Sequence, residues 1–473
     1  MRVAAIDQGT TSTRAFVLDE TGVGRVVAVK EHRQHYPRSG WVEHDAEELL
    51  GHIWSCLEAV GTVDAIGMDN QGESCLAWDS KTGKAVSPVI VWQDNRTHDV
   101  TEGLKAQGAE TLTLERAGLP LDSYFSASKL AWILRSIPEA KALKEQGRLR
   151  LGTTDAFFLD RLTSVFATDI TTASRTSLLD LKKGAWDPEL CDLFAAPIDS
   201  LPQIRPTMGD FGSVTLKGRE VPLTVNIVDQ QASLFGHGCR SAGDAKITFG
   251  TGAFALALTG DALIRAPDQG LLPTVAWQEA AGSPVFAVDG GIYCAGSAIN
   301  WAKSLGLFSR FDDINGFDQP PAIERDLVFV PALTGLACPY WERSASGLWI
   351  GLSLDTTAPD MVQAILEGIA FRAGQVIDAM HAHVPIGDQI SIDGGMSANP
   401  YFCQFLADVL GRDVVVQEVS ELTALGTALM AAGNKEKPER NGEAVRLYRP
   451  KSASEHWAER FAEAVERARN WRP

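Results

Sequence analysis

The sequence predicts an α/β fold built from two related domains. Strand-like runs alternate with helix-like runs in the first part of the chain, an order typical of α/β domains. A strand that leads into a glycine- and threonine-rich turn opens the chain, and the same arrangement returns midway. The 473 residues also exceed what one hydrophobic core usually serves. We therefore expect one domain over residues 1–240 and a second over residues 241–473.

The first domain opens with three predicted strands, a helix and a fourth strand. The first three strands are indicated by apolar runs at residues 3–6, 14–18 and 25–29. The polar residues 19–22 include a glycine and predict a hairpin turn between the second and third strands. Residues 47–60 predict the helix, and residues 63–68 predict the strand that follows it.

The second domain repeats this arrangement. A predicted strand at residues 246–249 leads into Gly250-Thr251-Gly252, and another strand follows at residues 253–258. A third junction has a strand at 389–392, a glycine-rich turn at 393–399 and a helix at 400–410. The chain closes with a charged segment that we expect to be exposed and a last helix, residues 434–442 and 455–470. A ligand clamped between duplicated domains would touch the first two glycine turns.

The turn after the first strand admits two interpretations. In IDQGTTSTRAF, residues 6–16, the glycine could form an ordinary tight turn whose hydroxyls satisfy nearby backbone groups. The other interpretation is a phosphate cradle, in which N–H groups and the hydroxyls of Thr10, Thr11 and Ser12 donate to an anion. Asp7 would then hold a metal ion that bridges the phosphates. This stretch alone does not decide between them.

Charge and composition narrow the set of partners. The formal net charge of -17 disfavours a broad contact with phosphate backbones, so we expect neither nucleic acid nor an anionic membrane as a partner. An anionic ligand must then be held by local amides, a few basic residues and a divalent cation, which suits a nucleotide. No apolar run approaches the ~20 residues of a membrane span, and no signal peptide is evident, so we expect a cytoplasmic protein. The seven scattered cysteines are expected to be reduced packing residues.

The three glycine turns follow the order of the two phosphate loops and the adenosine loop of actin-like ATPases. Within that superfamily, the chain resembles the FGGY carbohydrate kinases, and among them the glycerol kinases. The likeness extends over about residues 3–432. Its further motifs are YPRSGWVEHD at 36–45, VIVWQDNRT at 89–97, SYFSASKLAWIL at 123–134, ASRTSLLD at 173–180, VDQQASLFG at 228–236, TFGTGAF at 248–254 and IDGGMSAN at 392–399.

The resemblance implies two actin-like (ribonuclease H-like) domains with a nucleotide cleft between them, and a kinase that uses ATP and Mg²⁺. Asp7 would help to place the Mg²⁺, with Asp229 as a second carboxylate of that site. The residues that would face the phosphates are Thr10, Thr11, Ser12 and Arg14 in the first domain and Thr251 and Gly252 in the second. Those that would line the nucleotide pocket are Gly296, Asn300, Gly395 and Asn399.

For the acceptor, the resemblance implies a small polyol or sugar. Its expected binding residues are Glu73, Trp92, Tyr124, Asp229, Gln230 and Phe254. Carboxylates and an amide suit neighbouring hydroxyls, and aromatic faces suit the C–H edge of a small polyol, although each aromatic residue taken singly would more often be core packing. Asp229 follows a predicted strand at residues 224–228 and is the expected general base. From the residues alone, Asp229 could instead cap a helix that starts at Gln230.

The chain departs from the glycerol kinase pattern at three places. Asn70-Gln71-Gly72-Glu73 stands where glycerol kinases have Asn-Gln-Arg-Glu, which removes a charged donor to a substrate hydroxyl and frees volume. That loss would weaken glycerol binding by on the order of 1–3 kcal/mol. Asn300 replaces a longer Gln, which would alter nucleotide contacts. Residues 212–222 lack the glycine-rich loop through which a sugar bisphosphate inhibits some bacterial glycerol kinases.

Three functions stay open at this point. If water or another basic residue fills the gap left at Gly72, the acceptor is glycerol and the product is glycerol 3-phosphate. If an extra carbon fills it, the acceptor is a four- or five-carbon polyol or ketose. An actin-like, ATP-driven switch would share the glycine turns but gives no reason for Trp92, Tyr124 and the pair Asp229-Gln230. A homodimer or a homotetramer would agree with the family, in which both occur, whereas the sequence itself indicates no oligomeric state.

Overall fold

Two large β-sheets form the centre of the protein in a computed structural model, which describes residues 1–417, 421–434, 445–451 and 455–472. Helices pack on both sheets, which confirms the predicted α/β fold. Of the charged segment that we expected to be exposed, residues 435–442 lie outside the described part of the chain. None of the helices in the described residues combines the length and apolar character that a membrane span requires.

The strands are numbered along the chain. Those of the first half are β1 (Val3–Gln8), β2 (Ser12–Leu18), β3 (Gly24–Glu31), β4 (Glu43–His44), β5 (Ala65–Asn70), β6 (Cys75–Asp79), β7 (Val89–Ile90), β8 (Leu149–Thr153), β9 (Ala167–Asp169), β10 (Leu179–Asp180), β11 (Ala185–Trp186), β12 (Gln203–Arg205), β13 (Ser213–Leu216) and β14 (Arg219–Val228). Those of the second half are β15 (Ala245–Phe249), β16 (Ala253–Gly260), β17 (Leu272–Trp277), β18 (Val285–Ile292), β19 (Val328–Val330), β20 (Leu348–Ile350), β21 (Gln389–Gly394), β22 (Asp413–Gln417) and β23 (Val445–Tyr448).

The α-helices are numbered in the same way. They are α1 (Ala46–Ala59), α2 (His98–Ala106), α3 (Glu110–Arg116), α4 (Ser126–Ser136), α5 (Pro138–Glu145), α6 (Thr154–Thr163), α7 (Ile170–Ala173), α8 (Pro188–Leu193), α9 (Asp229–Gly236), α10 (Gly296–Ser304), α11 (Ala358–His381), α12 (Pro400–Leu410), α13 (Leu422–Ala431) and α14 (Glu455–Ala468).

The two large sheets share one arrangement of five strands. In the first sheet, β1, β2 and β3 are antiparallel neighbours, and β5 and β14 continue the sheet in parallel on the other side of β1. In the second sheet, β15, β16 and β18 form the antiparallel part, and β21 and β22 continue it in parallel beside β15. The order β3-β2-β1-β5-β14 therefore matches β18-β16-β15-β21-β22. This repeat agrees with the internal duplication that the sequence indicated.

The opening strand and hairpin form as the residue pattern predicted. β1 lies inside the first sheet and is buried at all six of its positions, so its apolar run suits a strand that is covered on both faces. The turn between β2 and β3 is closed by Asp19, whose Oδ1 accepts hydrogen bonds from the backbone N–H groups of Thr21 at 2.9 Å and Val23 at 3.0 Å. A short polar side chain that binds the backbone two residues on is typical of such turns.

Other predicted elements are confirmed with small shifts. The helix predicted at 47–60 is α1, and the strand predicted at 63–68 is β5, which lies two residues later. The helix predicted at 400–410 is α12, with Pro400 in its first turn, where a missing N–H leaves no bond unmade. All seven cysteines are buried and free, as expected of packing residues.

A helix of the second half packs on the first sheet. α13 lies against β1, β5 and α9, and its apolar side chains share one core with the first sheet. The two helices meet at backbone distance: a Cβ added to Gly426 would lie 1.9 Å from the carbonyl oxygen of Ala232. A Cβ added to Gly236 would lie 1.9 Å from the carbonyl oxygen of Leu422. Only glycine permits this approach, so the glycines fix how closely the two halves are joined.

Candidate active site

A cavity of about 190 Å³ lies between the two sheets. Its walls come from the carboxyl ends of β1, β5 and β14 in the first sheet and from β16 and β18 in the second. Strand ends of this kind are where α/β proteins commonly place ligands. All six predicted acceptor residues line it: Glu73, Trp92, Tyr124, Asp229, Gln230 and Phe254. We call this space the acceptor cavity.

Asp229 is the first residue of α9 and directly follows β14. Its Oδ1 accepts a hydrogen bond from the N–H of Gln230 at 2.7 Å. The helix therefore begins at Asp229 and residue 228 is its N-cap, so the alternative in which Asp229 caps a helix starting at Gln230 is wrong. Desolvation raises the pKa of Asp229 to about 7, and the charges of Glu73 and Asp7 add to the shift. A carboxyl with a pKa near neutrality suits proton transfer.

Glu73, Arg175 and Asp289 form a chain of buried charges along the cavity wall. Arg175 Nε donates to Glu73 Oε1 at 2.7 Å, and Arg175 Nη2 donates to Asp289 Oδ2 at 3.3 Å. Burial lowers the pKa of the Arg175 guanidinium, but the two carboxylates more than offset this, so its pKa is raised overall. Glu73 itself has a φ of 59°, a left-handed conformation that costs a non-glycine residue about 1–3 kcal/mol. Strain of this kind is commonly kept at ligand sites.

Arg175 and Asp289 were not among the predicted site residues. Asp289-Gly290-Gly291 repeats the acid-glycine-glycine pattern of Asp393-Gly394-Gly395, so a signal for Asp289 was present in the sequence. Arg175 offered none beyond its place in the motif ASRTSLLD, because its two partners are 102 and 114 residues away along the chain. Only the folded structure brings these three charges together.

Aromatic side chains close the acceptor cavity and connect it to the first glycine turn. The indole Nε1 of Trp92 donates to Thr10 Oγ1 at 3.0 Å. The Trp92 ring meets Tyr124 edge to face, with ring centroids 5.7 Å apart. Phe254 reaches the cavity from β16. Thr10, which we expected beside the phosphates, lines the acceptor cavity.

Gln230 is held with one end of its amide occupied. Its Oε1 accepts a hydrogen bond from Lys246 Nζ at 2.7 Å, and the same ammonium donates to Thr248 Oγ1 at 2.8 Å. Burial lowers the pKa of Lys246, whereas the charges of Asp393 and Asp229 oppose that shift. Because the amide oxygen is occupied, the NH₂ group of Gln230 remains for a ligand. Gln230 therefore suits a hydroxyl that accepts a hydrogen bond.

Gly72 lines the acceptor cavity. A Cβ added at residue 72 would lie 2.7 Å from Val228 Cγ2, closer than carbon atoms normally pack. A side chain at this position would therefore have to displace the Val228 methyl group. Arg175 is a basic residue that lines the same cavity, and the glycerol alternative calls for such a residue.

Carboxyl groups gather where β1 and β5 end. Asp7 and Asp69 lie opposite each other in the parallel pair of these strands. Burial raises the pKa of Asp7, and burial together with the charge of Asp7 raises the pKa of Asp69. Asp69 Oδ1 is buried and has no hydrogen-bond partner among the described residues. Neighbouring carboxyls must share a proton or a cation, so these oxygens fit a hard divalent cation such as Mg²⁺.

Within the described residues, no group of three or more acidic, histidine or cysteine side chains could hold a metal ion alone. Mg²⁺ does not need such a group, because it is usually held by one or two carboxylates together with phosphate oxygens and water. Arg14 Nη1 lies 3.6 Å from Asp7 Oδ2 and 2.9 Å from Glu421 Oε2. Its positive charge therefore offsets part of the negative charge of these two carboxylates.

A larger cavity of about 410 Å³ lies beside the second sheet, and we call it the nucleotide cavity. Five of the residues predicted for the nucleotide line it: Thr251, Gly296, Asn300, Gly395 and Asn399. Four residues predicted to face the phosphates line neither cavity: Thr11, Ser12, Arg14 and Gly252. The nucleotide cavity therefore collects the second and third glycine turns, whereas the first turn lies nearer the acceptor cavity.

Close backbone packing shapes the nucleotide cavity. The N–H of Gly296 donates to the carbonyl oxygen of Gly250 at 3.0 Å, and a Cβ added to Gly296 would lie 2.5 Å from that oxygen. Asn399 uses both ends of its amide within the protein: Oδ1 accepts from Phe402 N and Nδ2 donates to the Ile314 carbonyl, both at 2.8 Å. The backbones of Gly250 and Gly296 and the amide of Asn399 are therefore held in place within the cavity wall.

Comparison with known proteins places this geometry in a family. The sequence model of the FGGY family of carbohydrate kinases, N-terminal domain, matches residues 2–236, and that of the C-terminal domain matches residues 245–434. The glycerol kinase of Methylobacterium nodulans is 40% identical over 484 residues, which cover 98% of this chain and 94% of that protein. The glycerol kinase of Thermus brockianus is 39% identical over 489 residues, which cover 99% and 98%.

Solved structures show the same fold. The crystal structure of Plasmodium falciparum glycerol kinase with ADP superposes with a TM-score of 0.90 at 28% identity and covers 99% of this chain and 98% of that chain. The crystal structure of a xyloylose kinase from Brucella ovis reaches a TM-score of 0.85 at 22% identity, covering 99% and 98%. Two family matches that together cover most of the chain and the residues that line both cavities show that the chain belongs to the FGGY carbohydrate kinases, phosphotransferases with an alcohol group as acceptor.

Proposed function

We propose that the protein transfers the γ-phosphoryl group of ATP to a primary hydroxyl of glycerol and forms glycerol 3-phosphate. The observation that carries this proposal is the convergence of all six predicted acceptor residues on one small cavity at the strand ends. The relatives that are about 40% identical over nearly the whole chain are glycerol kinases, which supports the choice of acceptor.

Asp229 is the general base in this proposal. Its carboxylate accepts the proton of the primary hydroxyl as that oxygen attacks the γ-phosphorus, the bond from the γ-phosphorus to the bridging oxygen breaks, and ADP leaves. Base catalysis of this kind contributes roughly 10²–10⁴ in rate. Glu73 accepts a hydrogen bond from a neighbouring hydroxyl, and the NH₂ group of Gln230 donates one. Trp92 and Tyr124, together with Phe254, cover the carbon edge of the polyol. They also exclude water, which is the competing nucleophile.

Asp7, with Asp229, is the proposed holder of Mg²⁺, which would offset the phosphate charge during transfer. In this proposal the first glycine turn is a phosphate cradle rather than an ordinary turn. The phosphates would be surrounded by Thr10, Thr11, Ser12 and Arg14 from the first half and by Thr251 and Gly252 from the second. The nucleoside would lie against Gly296, Asn300, Gly395 and Asn399.

The proposed reaction uses two domains, residues 1–240 and residues 241–473, which move relative to each other. Closure of the domains would bring the nucleotide cavity against the acceptor cavity and remove water between them. The enzyme would assemble as a homodimer or a homotetramer.

A four- or five-carbon polyol or ketose is the second candidate acceptor, and Gly72 is the reason for it. Arg175, a basic residue, lines the same cavity as Gly72, which favours glycerol. The actin-like switch has no such support, because the chain belongs to a family of kinases.

A panel of acceptors tests the proposal. The purified protein is incubated with Mg²⁺ and ATP and with glycerol, tetritols, pentitols or ketoses, and phosphorus NMR identifies each product. Glycerol should give the highest kcat/KM and should yield glycerol 3-phosphate. A longer acceptor with a tenfold higher kcat/KM would replace glycerol in the proposal, and a panel with no phosphorylated product would overturn it.

A further inference from the structure

Arg175 is a buried cation that faces the acceptor cavity from a loop directly after α7. It is 5% exposed, and it lines the cavity together with Glu73 and Asp289. Through Glu73 it contacts the turn after β5, and through Asp289 it contacts β18 of the second sheet. Arg175 therefore sits where both halves of the molecule meet the acceptor.

Two polar atoms of this group are left without a partner. Arg175 Nη1 and Asp289 Oδ1 are both buried, and neither has a hydrogen-bond partner among the described residues. Leaving such atoms unsatisfied costs about 1–3 kcal/mol each, so native structures rarely do so without a reason. An N–H donor and a carboxylate acceptor on adjoining side chains are what one hydroxyl requires, since it accepts one hydrogen bond and donates one.

A second buried arginine shows why the first is unusual. Arg96 also has an unpartnered Nη1, and its side chain is fully buried between Asp94 and Glu43. Its guanidinium carbon, however, lies 3.9 Å and 4.6 Å from the ring centroids of Trp41 and Trp132, whose faces attract a cation.

The guanidinium carbon of Arg175 is farther from the nearest rings, at 5.9 Å from Tyr124 and 5.5 Å from Phe125. Arg175 also lines a cavity large enough for a ligand, whereas Arg96 does not line that cavity. Aromatic rings therefore stabilise the guanidinium of Arg96 more strongly than that of Arg175, and they account for the unpartnered donor of Arg96 only. A ligand hydroxyl in the acceptor cavity can therefore serve as the partner of its Nη1.

We propose that Arg175 and Asp289 bind a second hydroxyl of the acceptor, other than the one that Asp229 deprotonates. Residue 72 has no side chain to reach the acceptor, so the guanidinium that recognises the polyol comes from Arg175. This inference rests on the proposed function. It makes the pair a specificity determinant: the enzyme selects acceptors that carry a vicinal or terminal hydroxyl in addition to the reacting one.

Deoxy analogues of glycerol test this inference. Propane-1,3-diol lacks the central hydroxyl and propane-1,2-diol lacks one terminal hydroxyl, so one of them lacks the partner of Arg175. For wild type, kcat/KM for that analogue should be at least about 100-fold below that for glycerol. Arg175→Lys keeps the charge but cannot fill both ion pairs and the third contact. In this variant the ratio of kcat/KM for glycerol to kcat/KM for that analogue should fall at least tenfold.

A purely structural role for Arg175 would give a different result. Arg175→Lys would then lower kcat/KM for glycerol and for both diols by one common factor, and that outcome overturns the inference. Arg96→Lys is the matched control, because it alters a buried, paired arginine elsewhere and should leave both ratios unchanged. The melting temperature and KM for ATP report whether each variant is folded.

If Arg175→Lys does not fold, Asp289→Asn takes its place, because the amide removes one carboxylate oxygen and should also lower the ratio at least tenfold. An unchanged ratio in Asp289→Asn would equally overturn the inference. Failure of the proposed function is distinguishable, since wild type would then not phosphorylate glycerol at all. If wild type phosphorylates glycerol but no variant changes the ratios, the proposed role of Arg175 is rejected and the proposed function stands.

Discussion

The first and second sheets have the same strand order, yet their strand ends carry opposite electrostatics. At the end of the first sheet, Asp229 is surrounded by other acids, and desolvation raises its pKa to about 7. In the second sheet, burial alone would raise the pKa of Asp393, but His237 and Lys246 hold it at about 2. His237 Nε2 lies 3.4 Å from Asp393 Oδ2. One carboxyl is prepared to take a proton, and the other is kept ionised.

This difference shows how a duplicated scaffold can carry two unlike sites. The acceptor cavity is lined by the charged residues Glu73, Arg175, Asp229 and Asp289 together with polar and aromatic residues. The nucleotide cavity is lined mainly by glycine and apolar residues. We therefore expect substitutions that change charge to have the larger effect at the acceptor cavity, and substitutions that change side-chain volume to have the larger effect at the nucleotide cavity.

The largest effect is expected for Asp229→Asn. Removing the base should lower kcat by about 10²–10⁴, because the amide cannot accept the hydroxyl proton. The fold should remain intact, as judged by an unchanged melting temperature. Asp155→Asn is the matched control: Asp155 is another buried acid, bonded to Thr153, Thr168 and Asn226. It should affect stability rather than turnover. A kcat near that of wild type for Asp229→Asn would refute the base assignment.

The joint between the halves should be the next most sensitive region. Gly426→Ala would place a methyl group 1.9 Å from a backbone oxygen of α9, so the helices must separate. We expect a loss of about 3 kcal/mol in the free energy of unfolding. Gly103→Ala, in α2 with no atom within 4 Å of the new Cβ, should instead stabilise the protein by about 0.5–1 kcal/mol. Denaturant titration of both variants measures the difference. Equal effects would contradict the close packing.

The pH dependence tests the electrostatics of the first sheet. The pKa of Asp229 is raised to about 7 in the folded, ligand-free enzyme, so the base is protonated and inactive below that pH. With both substrates subsaturating, the rate should be about tenfold lower at pH 6 than at pH 8. The residual activity of Asp229→Asn should lack this dependence. A flat wild-type profile across that range would show that burial and the acids around Asp229 do not raise its pKa to about 7.

A smaller effect is expected at the nucleotide cavity. Gly296→Ala would bring a methyl group to 2.5 Å from the carbonyl oxygen of Gly250 and displace the second glycine turn. KM for ATP should rise about fivefold, by the cost of a small steric shift, while KM for glycerol stays within twofold. Gly316→Ala, where the new Cβ meets no atom within 4 Å, is the control. Equal changes in both KM values would contradict the separation of the two cavities.

The six acceptor residues are predicted by the resemblance to the FGGY kinases. From the residues alone, Asp7 and Asp229 stand out because each follows a strand-like run, and α/β sheets commonly place ligands at strand ends. What could not be predicted is contact between distant loops. Arg175 contacts Glu73 and Asp289, which are 102 and 114 residues away along the chain. A side chain at residue 72 would meet Val228 because β14 lies beside β5, which no local pattern reveals.

In the proposed reaction, the two halves of the enzyme deliver a triphosphate to an alcohol rather than to water. The rate of ADP release from wild type with Mg²⁺ and ATP, measured with and without glycerol, shows which of the two accepts the phosphoryl group. If Asp229 acts as the base and Trp92, Tyr124 and Phe254 exclude water, glycerol should raise the rate of ADP release by at least about 100-fold. ADP release that is equally fast without any acceptor would contradict the account.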